Sequence, residues 1–122
     1  MDTNKRFNDR HSTLGLMSSV SDGKHAFMGI VEDISTTGLR LSQIPADFDD
    51  KVDHCFTVVK GPVRDIKVFL RPCWTRTTNH GMYKDIGFQI EDPPQSWNHF
   101  VERLANESDL LHSLVAPYEV EM

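Results

Sequence analysis

Five residues stand out for what their side chains can bind. Arg6 and Arg10 form an R-x-x-x-R pair in the polar opening stretch MDTNKRFNDRH. Alone, two arginines at this spacing are ordinary solvated charges. A guanidinium, however, donates two parallel hydrogen bonds, which suit phosphate oxygens or the O6 and N7 acceptors of guanine. The other three residues lie in Asp33-Ile34-Ser35-Thr36-Thr37-Gly38, a D-h-S-x-x-G run. These are also the usual residues of a plain strand connection. As binding groups they do more. The Asp33 carboxylate can accept from both N1–H and N2–H of a guanine. Ser35 can reach a base edge or a phosphate oxygen. Gly38 lets the backbone approach closely or take a positive φ. A ligand that offers both phosphates and guanines would use the whole set.

Composition narrows the function classes. The chain has 122 residues and a net charge of -5, from 13 Lys and Arg against 18 Asp and Glu. That length suits one domain with one modest core. The acidic balance disfavours DNA or RNA, which needs a basic face to displace counterions. A small anion needs only a local basic cluster, such as Lys5, Arg6 and Arg10. Cys55 and Cys73 have no C-x-x-C spacing and read as small, partly buried strand residues. The six histidines show no metal-ligand grouping, so no metal is expected. Ser35 beside Asp33 lacks a positioned base, and no nucleophile elbow or P-loop is present, so an enzyme is not expected. No apolar run approaches the roughly 18 residues that span a bilayer. The polar N-terminus lacks a secretory signal, which implies a cytoplasmic protein without membrane insertion.

These residues need a scaffold, and its pattern is mainly β. Residues 1–11 read as a flexible arm and 12–116 as one domain, followed by a tail at 117–122. Strands are expected at Thr13 to Val20, His25 to Ile34, Gly38 to Ser42, Cys55 to Lys60, Ile66 onward past Pro72 to Thr75, and Ile86 to Ile90. Alternation such as Ile66, Val68 and Leu70 against Lys67 and Arg71 buries one face of a strand. Asp22-Gly23 marks a hairpin turn, and Pro45 to Asp53 reads as acidic loop. If the second strand runs on regularly, Asp33 and Ser35 share its outer face and Ile34 points inward. Six short strands with turns between them suggest an antiparallel barrel or sandwich. Then the period changes. Trp97, Phe100, Val101 and Leu104 form one apolar stripe of a helix. Asp92-Pro93-Pro94-Gln95 resembles a capping box with Asp92 as the cap and Pro at the first helical position, and Ser96 is the competing cap. Ser108 can cap a second short helix that ends at Pro117.

An arginine pair just before a β-barrel, then D-h-S-x-x-G between its second and third strands, resembles the PilZ family. The resemblance runs from about Lys5 to Asn106 and includes Gly38-Leu39-Arg40-Leu41, Cys73-Trp74 and Asp85-Ile86-Gly87-Phe88. It implies a six-stranded antiparallel PilZ-type β-barrel with a C-terminal α-helix, binding cyclic di-GMP on its outer surface. It assigns Arg6 and Arg10 to guanine and phosphate, Asp33 and Ser35 to guanine and its surroundings, and Gly38 to the contact surface. Lys5, Arg40 and Trp74 are secondary ligand contacts on this reading. Lys5 stands where many relatives carry a second arginine, and an ammonium stacks on guanine less well. Trp74 can stack on a base or serve as a core or barrel-end residue. The implied function is a receptor that orders its arm on ligand binding and signals to an unidentified protein effector, in motility, surface attachment or exopolysaccharide control. A monomer or weak homodimer is expected. The alternatives are a nucleotide-independent interaction module of the same fold, or an OB-like barrel for single strands, which charge disfavours.

Overall fold

A computed structural model describes residues 11–61 and 64–106. Lys5, Arg6 and Arg10, the expected second helix from Ser108, and the tail at 117–122 lie outside the described residues. Six strands run in the order β1 (His11–Ser21), β2 (Ala26–Ile34), β3 (Gly38–Pro45), β4 (Cys55–Lys60), β5 (Asp65–Thr78) and β6 (Tyr83–Glu91). They close an antiparallel barrel in the order β1-β2-β3-β6-β5-β4. Closure gives every described strand a partner on both sides over part of its length. A helix, α1, follows at 95–106.

Alternation builds the interior. Ile66, Val68 and Leu70 of β5 and Ile86, Phe88 and Ile90 of β6 all point inward, against Val20, Val31, Leu39 and Val59. The buried Ser18 and Thr57 hydroxyls bond each other, so the polar pair inside the barrel is satisfied. Trp97 and Val101 carry the helix stripe into this core, with Phe100 and Leu104 packed beside them.

Several expectations need correction. β1 begins at His11, so the last residue of the expected arm is already strand. β3 runs on to Pro45 through a register shift after Leu41, with Gln43 at φ 58. The acidic loop after it is not merely solvated, since Phe48 is buried and stands edge-on to Phe27 and Phe88. β5 passes through Pro72 to Thr78, because a bulge between Pro72 and Trp74 absorbs a residue that lacks an N–H. The extra residue is Cys73, which is therefore exposed, whereas Cys55 is buried. Burial pushes the Cys55 thiol up to about 12, with Asp22 and Glu91 adding to the effect. Neither expected cap starts the helix. The Pro94 carbonyl accepts the first helical N–H groups, from Trp97 and Asn98, and Asp92 turns away at φ 47.

Two devices close the barrel ends. At one, the Asp22 carboxylate accepts from the backbone N–H groups of Lys24, His25 and Asp49 at 2.9–3.0 Å. It thereby ties the first hairpin to the loop that carries Phe48. Burial opposes the ionised form, yet these three donors outweigh it and hold the Asp22 carboxyl down to about 2. At the other end, the Trp97 indole donates to the Ser35 carbonyl at 3.0 Å, so α1 is pinned to the β2–β3 turn.

Candidate functional site

The β2–β3 turn follows from its residues. β2 stops at Ile34, whose side chain is fully buried. Ser35 then turns inward. Its Oγ accepts from the Gly38 N–H at 3.0 Å and the Thr37 N–H at 3.2 Å, a hydroxyl-closed turn. Ser35 is only 2% exposed, so the expected outer face shared by Asp33 and Ser35 does not form. Its hydroxyl is spent inside the turn and its carbonyl on Trp97. Gly38 opens β3 opposite Gln89. Positive φ is not what the turn needs there, because the positive-φ glycines of the described residues are Gly15, Gly23 and Gly81.

Asp33 stays on the outer surface, and strand register decides its company. Asp33 pairs with Arg40 across β2 and β3. Arg40 pairs with Gly87 across β3 and β6, and Gly87 with Trp74 across β6 and β5. Directly paired residues in a sheet point the same way. One lateral row therefore carries an acid, a guanidinium, a gap and an indole. It spans three strand spacings, roughly 14 Å. The gap is needed, since a Cβ at Gly87 would collide with the Trp74 indole that lies over it. Trp74 is 45% exposed, so it is not a core residue.

The charges along this row are linked. Arg40 Nε donates to Asp33 Oδ2 at 3.0 Å. Arg40 Nη1 also lies 3.8 Å from Asp85 Oδ2, which accepts from Arg76 Nη2 at 2.7 Å. The Asp85 side chain is 11% exposed, and Asp85 is two residues before Gly87 on the same strand face. The set alternates in sign, from Asp33 through Arg40 and Asp85 to Arg76. Such a surface suits a planar polar ligand that carries donors, acceptors and an aromatic face. Arg76 and Asp85 were not singled out as site residues by sequence. The signal available was their outward place in alternating strands, and register alone brings them beside Arg40.

The start of β1 adds a further element. His11 pairs with Ile34 and Ser12 with Asp33. The chain therefore enters the barrel alongside the second motif. Among the described residues no group of three metal-ligating side chains forms. No described helix is long and apolar enough to cross a membrane.

No family model matches the sequence, and no curated protein matches it. Solved structures do. The inhibitor of motility MotI/DgrA from Bacillus subtilis superposes with a TM-score of 0.60 at 7% identity, covering 81% of this chain and 49% of that one. PlzA of Borreliella burgdorferi, in complex with c-di-GMP, superposes with a TM-score of 0.62 at 11% identity, covering 91% of this chain and 54% of that one. This chain spans about half the length of those solved chains. At these identities the likeness is one of fold. The six-stranded antiparallel barrel followed by a helix is the PilZ-type architecture expected from the sequence.

Proposed function

We propose that this chain is a receptor for cyclic di-GMP that binds its ligand on the outer face of β2, β3, β6 and β5 and acts through a protein partner, without catalysis of its own. The observation that carries this reading is the pairing of Ser12 with Asp33. Arg10 is two residues before Ser12 in sequence, so the R-x-x-x-R motif directly precedes the strand that pairs with the start of the D-h-S-x-x-G motif. The fold shared with a protein solved in complex with c-di-GMP supports the same reading. In it, Arg6 and Arg10 take phosphate and guanine edges, Asp33 takes guanine donors, and Trp74 offers an aromatic face. Ser35 and Gly38 act by setting the turn that carries the backbone past Asp33. Ordering of the arm is then the signal to the partner, with control of motility, attachment or exopolysaccharide as the output.

Calorimetry tests this. Cyclic di-GMP should bind the full chain with a defined stoichiometry, and an unrelated cyclic dinucleotide should not. Arg10→Ala should lose most of the affinity while its thermal melt stays unchanged. Absence of binding by the unmodified chain leaves the nucleotide-independent interaction module as the reading.

A further inference from the structure

We infer that Arg40 guards Asp33 against the ligand, and that Asp85 is the carboxylate that receives Arg40 when the ligand enters. This rests on the cyclic di-GMP reading above. Guanine presents N1–H and N2–H side by side, and a carboxylate meets them best with both oxygens. In the structure the Asp33 Oδ2 atom already accepts from Arg40 Nε at 3.0 Å. The cross-strand pairing places Arg40 between Asp33 and the Gly87–Trp74 shelf, where a base would have to lie. Entry of a guanine therefore competes with Arg40.

The neighbouring geometry supplies somewhere for Arg40 to go. Its Nη1 is 3.8 Å from Asp85 Oδ2, within ion-pair range. Asp85 is fixed in place by Arg76 at 2.7 Å. A planar guanidinium can bridge two carboxylates and shift its weight from one to the other without leaving the surface. Arg40 is then a specificity-determining residue that acts by competition. Only a base edge with two donors recovers what displacing it costs.

Calorimetry with cyclic di-GMP on the full chain, alone and as Arg40→Met, Asp85→Asn and the double variant, tests this. Arg40→Met should tighten binding about two- to fivefold, the scale of a part-exposed ion pair. Asp85→Asn should weaken binding by a similar factor, and should have no effect when Arg40 is already methionine. Arg40→Met that weakens binding, or leaves it unchanged, overturns the inference and makes Arg40 a steadying group or a ligand contact. Asp85→Asn that acts equally in both backgrounds also overturns it, because Asp85 then works through Arg76. Should Asp85→Asn fail to fold, Arg40→Met alone still decides. An unmodified chain that does not bind overturns the parent reading as well, which sets that failure apart from this one.

Discussion

Across β2, β3, β6 and β5 the outward positions are charged and linked, from Asp33 through Arg40 and Asp85 to Arg76, with the Trp74 indole beside them. Across β2, β1, β4 and the first half of β5 they are mostly small or apolar, with the Lys60–Asp65 ion pair at one margin. Met28, Ser19, Val58 and Lys67 form one row there, and Ser21, Phe56 and Phe69 the next. Phe69 is 55% exposed. Lys67 makes no ion pair among the described residues, and its ammonium lies 4.4 Å from the Phe56 ring centre. The inward residues of both sides are the same kind of aliphatic core. The barrel therefore sets which positions face out and leaves their chemistry free. The first face carries the linked row of carboxylates and guanidiniums that matches a base edge, whereas the second offers mainly rings and methyl groups, with Lys67 over the Phe56 ring and a Lys60–Asp65 ion pair at its margin.

The comparison breaks most severely when the shared interior is damaged. Trp97 is fully buried and its indole N–H holds the β2–β3 turn. Trp97→Ala should cost about 3–5 kcal/mol of stability and erase both faces together, read as a large fall in the urea midpoint.

A smaller effect is expected at the opposite barrel end. Asp22→Asn weakens acceptors for three backbone donors and should cost about 1–2 kcal/mol near neutral pH. The sign with pH follows from a carboxyl held at about 2 in the fold against an ordinary value of 3.8. The advantage of the unmodified chain is fully present above pH 3.8 and shrinks as pH falls through about 2. Paired urea melts from neutral to acid pH check this, and a gap that persists undiminished at the acid end contradicts it.

The smallest stability effect sharpens the contrast between the faces. Gly87→Ala places a Cβ where the indole now lies, and Trp74 is at the surface and can swing away. Stability should change by less than about 1 kcal/mol. Trp74 emission should shift to the red as the ring leaves its shelf, and cyclic di-GMP binding should weaken. An unchanged spectrum would show that Gly87 does not seat the indole.

Much of the scaffold was legible because period-two alternation is a strong local signal. It marks β4 at Cys55–Lys60 and the inward residues of β5 and β6, and the 3.6-residue stripe marks α1 through Trp97, Phe100, Val101 and Leu104. What failed was set by contacts distant in sequence. Ser35 is held inward by Trp97, 62 residues away, whose indole N–H donates to its carbonyl, and that contact is not visible from the spacing of Asp33 and Ser35. Phe48 is core because Phe27 and Phe88 meet it, although its own neighbours are acids. Of the charged row, Asp33 was evident from its motif. Its junction with Arg40, Gly87 and Trp74 depends on the register of three strand pairs and on a bulge at Cys73, and a one-residue slip in any of them would dissolve it.

The most direct test is residue-resolved. Amide and indole NMR signals of the full chain, followed during titration with cyclic di-GMP, report which face meets the ligand. Shifts should concentrate at Asp33, Arg40, Asp85, Gly87 and the Trp74 indole, while Met28, Phe56, Val58, Lys67 and Phe69 stay still. Shifts centred on the second group, or none at saturating nucleotide, would contradict the assignment of the charged face as the nucleotide site.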